Sequence, residues 1–198
     1  MARARRTPND RVNVAFNSSN ERARFLSAEE CEAVIRLAEA QSSGWARELK
    51  TRSADADEVF KTYSVFVIDG NSKDKDIGWL PRRFKRRIRS LNREIWDFDI
   101  DRISDVFVLR YGVDDKFEQH IDLGDGHWDR KLSMLVQLSA SDAYQGGTLE
   151  FGFAPTAVAS REQGSLLVFP AWVPHRVTPI TSGTRYIAGC FVLGPSFR

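Results

Sequence analysis

The chain has 198 residues, 42% hydrophobic and 28% charged, with a formal net charge of +2. A length of this order buries a core without staples, and so small a net charge gives no ground for a nucleic-acid partner. Two cysteines exclude a disulfide scaffold, and no stretch reaches the roughly 20 apolar residues of a bilayer-spanning helix.

Residues 1–20 are rich in Arg, Asn and Ser. The basic start, 1–11, lacks the apolar segment of a secretory signal, and the region reads as an arm with one short strand near 12–16. The run F-L-S-A-E-E-C-E-A-V-I-R-L follows, in which Ser27 and Glu30 form a capping box. Cys31, Val34, Ile35, Leu37 and Ala38 supply an apolar stripe, so the spacing predicts a helix over 28–41, ended by Gly44. Residues 53–58 are polar and acidic, a loop. K-T-Y-S-V-F-V-I-D, 61–69, is β-branched and aromatic and predicts a strand.

A second helix is expected over 79–96, with Phe84, Ile88, Leu91 and Ile95 on its apolar stripe. Its other face carries Arg82, Arg83, Lys85, Arg86, Arg87, Arg89 and Arg93. A solvated helix face is preferred there to a nucleic-acid patch, because no aromatic residues interleave with the charges; no nucleic-acid partner is expected. From Ile103 the pattern changes to short strands near 104–111, 117–121, 131–138, 147–151, 165–169, 175–178 and 185–193, separated by Gly- and Asp-rich turns. Many short strands without alternating helices imply a mainly β fold, an antiparallel jelly roll with the helices packed on one sheet. The expected division is an arm over 1–20 and one domain over 21–198, with helical support over 21–100 and the jelly-roll core over 101–198. Cys31 and Cys190 read as buried free thiols of a reducing, cytoplasmic compartment.

The chemistry concentrates in few residues. His120 and Asp122 stand two apart, which projects both side chains to one side of a strand end; His175 and then Arg185 follow far downstream. A lone strand histidine is commonly structural, but two histidines and a carboxylate match the set that holds one face of a non-haem iron. Zinc accepts the same ligands with a water in the fourth position. Arg185 tilts the reading to iron with an anionic cosubstrate, because a guanidinium forks onto a carboxylate. His127, in G-D-G-H-W-D, reads as a loop residue.

The motifs Y-G-V-D-D-K-F-E-Q-H-I-D, R-K-L-S-M-L-V-Q-L-S, Y-Q-G-G-T-L-E-F, G-S-L-L-V-F-P-A-W-V-P-H-R-V-T-P-I and G-T-R-Y resemble the prolyl 4-hydroxylase-like branch of the Fe(II)/2-oxoglutarate-dependent dioxygenases. F-L-S-A-E-E-C resembles the helix that opens those domains. The resemblance implies a double-stranded β-helix (cupin-like jelly roll) with His120, Asp122 and His175 as iron ligands. It implies that Arg185 binds the distal carboxylate of 2-oxoglutarate, where collagen-type members use Lys. Tyr111, Ser133, Leu135, Gln137, Val177 and Phe191 would line the cosubstrate pocket, Gln137 standing where the family has a tyrosine. Arg130 and Trp172 would lie at the substrate mouth. Related halogenases have a small residue in place of Asp122, and the nucleic-acid demethylases carry an arginine where this chain has Phe191, so hydroxylation is favoured over both.

The expected reaction couples oxidative decarboxylation of 2-oxoglutarate to hydroxylation of an unactivated C–H bond, with O₂ consumed and ascorbate as a stimulant. A peptide or protein proline is the first-choice substrate. The alternatives are a hydroxylase of a free amino acid or small metabolite, and a non-catalytic jelly-roll binding module. The loops 53–58 and 124–130 are candidate lids.

Overall fold

The computed structural model describes residues 25–51, 59–124, 126–152 and 157–196. The expected arm, the strand near 12–16 and the loop 53–58 lie outside the described residues. Two helices and thirteen strands are described: α1 (Ala28–Ala40), β1 (Trp45–Thr51), β2 (Val59–Ile68), α2 (Trp79–Leu91), β3 (Arg102–Ile103), β4 (Val106–Tyr111), β5 (Phe117–His120), β6 (Arg130–Gln137), β7 (Tyr144–Gly146), β8 (Leu149–Phe151), β9 (Ala157–Val158), β10 (Leu166–Pro170), β11 (His175–Val177), β12 (Ile180–Gly183) and β13 (Arg185–Leu193). All pairings are antiparallel. One curled sheet runs β10-β6-β13-β4-β2-β5-β11-β8-β9, with β1 on β2 and β3 on β13, and β12 pairs with β7 apart from it.

Helix α1 begins as its sequence dictates. The Ser27 hydroxyl accepts from the Glu30 N–H and the Glu30 carboxylate accepts from the Ser27 N–H. It ends earlier than Gly44: Gln41 is the C-cap, and Gly44 closes a separate short turn, Ser42–Gly44. Pro81 sits in the first turn of α2, where no intrahelical donor is lost. The α-helix stops at Leu91 and continues as one π turn, Asn92–Trp96, ended by Asp97 in the left-handed region at φ 54°.

The core divides at the sheet. Even-numbered residues of β4, β6 and β13 (Val106, Val108, Leu132, Met134, Val136, Ala188, Cys190 and Val192) pack with Phe84, Ile88 and Leu91 of α2 and Cys31, Val34 and Ala38 of α1. Odd-numbered Leu109, Tyr111 and Ile187 instead face a second cluster with Tyr144, Phe151, Phe169 and Val177 inside the roll. The helices therefore cover the outside of the sheet whose inside forms the roll, the layer order expected from the sequence. Both cysteines are free and buried, and burial pushes the Cys31 thiol up to about 12. Among the described residues, no helix is long and apolar enough to cross a membrane.

Five strands escaped the sequence pattern, two of them, β3 and β9, only two residues long. β1 reads W-A-R-E-L-K-T, too charged to show alternation, yet it pairs along β2 as an edge. β7 and β12 include Gln145-Gly146 and Thr181-Ser182-Gly183, read as turns from composition. The strand expected over 104–111 begins at Val106, because Ser104 donates its N–H to the Phe191 carbonyl and accepts from the Phe191 N–H at its hydroxyl instead of joining the β4 ladder.

Asp115 fastens the turn that precedes β5. Its carboxylate accepts from both Nη atoms of Arg47 and from the Gly112 N–H. Burial alone would raise this carboxyl, but the guanidinium and the N–H outweigh it and hold it below the usual range. Because the folded pKa lies below the unfolded value of about 3.9, the stabilisation is present above that pH and is lost as pH falls through the folded pKa. Asp115→Asn is expected to lower stability at neutral pH and to flatten the acid limb, so that denaturant midpoints of variant and wild type converge as the medium is acidified. Ser27→Ala is expected to cost about 1 kcal/mol, a fall in Tm of roughly 2–4 °C by calorimetry.

Candidate active site

His120 ends β5 and His175 begins β11, and the two are direct partners across that antiparallel pair. Their ring centroids lie 4.2 Å apart. Asp122 is in the turn after β5, held by its N–H to the Ala171 carbonyl at 2.8 Å. One ligand atom from each of the three falls within 4.8 Å of the others.

Both rings are oriented by the backbone. His120 Nδ1 is 2.8 Å from the Glu118 carbonyl, and His175 Nδ1 is 2.9 Å from that of Val173. A carbonyl only accepts, so each Nδ1 carries the proton and each Nε2 presents its lone pair. The two Nε2 atoms lie 3.6 Å from Asp122, one at each carboxylate oxygen. The Ser133 hydroxyl donates to Asp122 Oδ2 at 2.5 Å. Burial holds the His175 imidazole below its ordinary value, hence neutral and fit to ligate. Burial would raise the Asp122 carboxyl, but the adjacent imidazoles and the Ser133 hydroxyl hold it below the usual range.

Aromatic rings close the surroundings. Phe117 stacks on His120 with centroids 3.6 Å apart, and the Phe169 edge meets His175 at 4.8 Å. These contacts were not legible in the sequence. Phe117 precedes His120 by an odd number of residues, and strict alternation would send it to the other face; the register shift between His175 and Val177 brings it under the ring. His127 is exposed in a turn and stays out of the cluster.

Arg185 opens β13 opposite Tyr111 of β4. It is 5% exposed, and no carboxylate among the described residues lies within ion-pair distance of it. Its Nε donates to Gln137 Oε1 at 3.2 Å, while its buried Nη1 has no partner. The Gln137 amide donates in turn to the Tyr144 hydroxyl at 3.1 Å. The guanidinium lies 5.9 Å from the Tyr111 ring and 6.0 Å from the Tyr144 ring. Gly147, at φ +57°, makes room: a Cβ there would stand 2.2 Å from Ile180 Cδ1 and 3.2 Å from Arg185 Cδ. A buried guanidinium with an idle N–H and no carboxylate is an anion site. Burial pushes the Tyr111 hydroxyl up, leaving it a neutral donor.

The remaining expected residues divide between the inner face and its rim. Ser133 is the cross-strand partner of Phe191, and Leu135 that of Gly189. Val177 is buried in the inner cluster. Arg130 lies 3.7 Å over the Phe191 ring and donates to the Asp122 carbonyl at 3.1 Å, so it braces the ligand turn. Trp172 is 36% exposed and packs on Phe98 at 5.7 Å. Tyr144 had been assigned no role; its only sequence signal was its place ahead of the Gly146-Gly147 turn.

Residues 106–193 match the family model described as the 2OG-Fe(II) oxygenase superfamily. A PKHD-type hydroxylase of Gloeothece citriformis is 34% identical over 91 residues, 44% of this chain and 41% of the relative. The chain thus spans about two fifths of the length of such curated relatives. A prolyl-4-hydroxylase of Pseudomonas putida superposes with TM-score 0.69 at 16% identity, covering 94% of this chain and 100% of that one. A prolyl hydroxylase of Trichoplax adhaerens, in complex with a hypoxia-inducible-factor peptide fragment, gives TM-score 0.71 at 19% identity, covering 92% and 88%. The double-stranded β-helix and the resemblance to prolyl 4-hydroxylase-like 2OG-Fe(II) oxygenases are both borne out.

The geometry of Asp122 yields a direct test. Ser133→Ala is expected to weaken Mn(II) binding in calorimetry by roughly 10- to 100-fold, with Ser133→Thr restoring it, while His175→Ala removes binding.

Proposed function

With residues 106–193 matching the 2OG-Fe(II) oxygenase superfamily, we propose that this chain is an Fe(II)- and 2-oxoglutarate-dependent dioxygenase that hydroxylates an unactivated C–H bond, with proline in a peptide or protein as its substrate. The observation that carries the reading is the pairing of two requirements inside one roll. A His, Asp, His set converges on a single point, and a buried guanidinium in the same roll has an idle donor and, among the described residues, no carboxylate.

His120, Asp122 and His175 would hold the iron, and two imidazoles with a single carboxylate would leave positions for the cosubstrate and O₂. When bound there, iron with 2-oxoglutarate supplies the oxidising power for C–H hydroxylation, releasing succinate and CO₂. Everything else is done by the chain. Arg185, steadied by Gln137, offers Nη1 to the distal carboxylate of the cosubstrate. Tyr111 stands beside it as a neutral donor. Leu135, Val177 and Phe191 give apolar walls, and Phe117 and Phe169 keep bulk water from the ligand rings. Ser133 and Arg130 fix Asp122 through its carboxylate and its carbonyl. Position, not acid–base exchange, then selects the carbon that reacts.

The peptide assignment is supported by the peptide-bound Trichoplax neighbour and the PKHD-type relatives, with Trp172 and Arg130 at the mouth. In the same reading residues 21–198 act as one catalytic unit, since α1 and α2 cover the outside of the sheet that carries the site, and 1–20 form an arm. Free buried thiols fit a cytoplasmic setting.

Anaerobic addition of Fe(II) and 2-oxoglutarate is expected to produce a weak visible charge-transfer band that His175→Ala abolishes; its absence from wild type would sink the reading. Arg185→Ala should raise the 2-oxoglutarate requirement far more than the iron requirement, and an equal rise in both would remove Arg185 from the anchoring role. Mass spectrometry for oxygen addition across peptide and free amino-acid libraries, with ascorbate present, separates the peptide substrate from a small metabolite. Absence of succinate under all conditions would leave a binding module.

A further inference from the structure

Helix α2 carries an arrangement that the oxygenase site does not use. Arg82, Arg86, Arg89 and Arg93 recur at i, i+4, i+7 and i+11, and all four side chains are exposed. They form one ridge along the solvent side of the helix and its π turn, about 16 Å long at the usual rise per residue. Lys85 and Arg87 flank the ridge. Among the described residues none of these six cations has a carboxylate within ion-pair distance: Arg82 reaches only the Ser72 carbonyl at 3.5 Å and Lys85 the Asn71 side chain at 2.8 Å. Arg83 is the exception, paired with Glu30 at 2.6 Å. Glu94, the nearby carboxylate, accepts from Ser90 at 2.8 Å.

Two recesses border the ridge. One, of about 440 Å³, is lined by Phe25, Arg83, Arg86, Arg87 and Ser90. The other, of about 280 Å³, is lined by Lys85, Ile88, Arg89, Ile100, Arg102 and Ile103 with one acid, Asp101. Seven cations and no acid fall within 82–93, whereas the whole chain is only +2, so the rest of the chain is net negative and this segment is a concentrated block of positive charge. The arrangement works against the helix itself. Like charges at i, i+4 destabilise it, and the first turn holds no acidic residue to meet the dipole.

We propose that this ridge is a docking surface for double-stranded nucleic acid, gripped through its phosphates. Charge complementarity selects a polyanion, and the preponderance of arginine over lysine suits phosphate oxygens, which a guanidinium meets with two parallel donors. The rod-like spacing of the ridge suits a regular row of phosphates, contacts that position a partner without reading sequence. A single strand is disfavoured because no exposed aromatic side chain stands on the ridge to stack with bases. A membrane is disfavoured because the apolar face, Leu80, Phe84, Ile88 and Leu91, is buried in the core and has nothing to insert. From sequence alone a solvated face was preferred. What changes that preference is the structural finding that among the described residues no carboxylate lies within ion-pair distance of the ridge cations, and that cation-lined recesses border them.

The experiment is fluorescence anisotropy of the full chain with a short mixed-sequence duplex, as DNA and as RNA, over a salt series. Four phosphate contacts give a log–log slope near about −3.5, a loss on the order of 100-fold across a fourfold rise in salt. The variant R82Q/R86Q/R89Q/R93Q should lose that slope and bind at least tenfold more weakly, while melting no lower than wild type because the repulsion is relieved. The double variant R86Q/R89Q, less demanding of the fold, should lose about half the slope. Equal binding by wild type and both variants overturns the proposal, as does a wild-type slope shallower than about −1. Equal affinity for anionic phospholipid vesicles at the same salt, or salt-sensitive self-association that the variants abolish without any duplex binding, also overturns it. A difference between the DNA and RNA arms identifies which duplex is held.

Discussion

Strict alternation along β4, β6 and β13 is the constraint on which the rest of the molecule depends. Each of these strands is buried on both faces, and each face has its own chemistry: Val, Met, Ala and Cys towards the helices, Tyr111, Ser133, Gln137 and Arg185 towards the roll. Because successive side chains point oppositely, a slip of one residue would carry Arg185 into the helical layer and Cys190 into the site. The capped helices therefore serve the site indirectly. By filling the outer layer they fix the parity of the strands, and parity aims the polar side chains inward.

Inside the roll the polar groups are left incomplete in complementary ways. Each ligand histidine has one nitrogen committed to a backbone carbonyl and one lone pair presented, while Arg185 has one donor committed to Gln137 and another idle. A buried polar atom without a partner costs free energy, so these groups hold their places only because packing over-determines them. A chelating dicarboxylate is the chemical shape that satisfies both ends at once. Gln137 joins two parts of the site: its amide links Arg185 to Tyr144, bringing a phenol into the same network from the separate β7 strand.

Legibility followed the strength of local patterns. The capping box of α1 was readable because both partners lie within one turn. H-x-D was readable because period two is a local property of strands, and β13 was found at its observed bounds because it is apolar from Ile187 to Leu193 and preceded by the turn signal at Gly183. β1 was not readable: an edge strand tolerates Arg47, Glu48 and Lys50, and its pairing to β2 leaves no mark on composition. Gly146 and Thr181 through Gly183 looked like turns because the residues that permit positive φ also end short strands. The brace from Arg130 to the Asp122 carbonyl and the stacking of Phe117 on His120 depend on a loop path and a register shift, neither of which local spacing encodes.

The sequence by itself determined the layer order, the chemical types at the site and their separation along the chain, since periodicity, capping and residue chemistry are local. Only the tertiary structure decided that His120 and His175 are direct cross-strand partners, and that among the described residues neither buried Arg185 nor the exposed Arg82, Arg86, Arg89 and Arg93 has a carboxylate within ion-pair distance. Each of these is a statement about what is near in space, or absent from it. Spacing in sequence supplies candidates for such neighbours, but the closing of the sheet into a roll chooses among them.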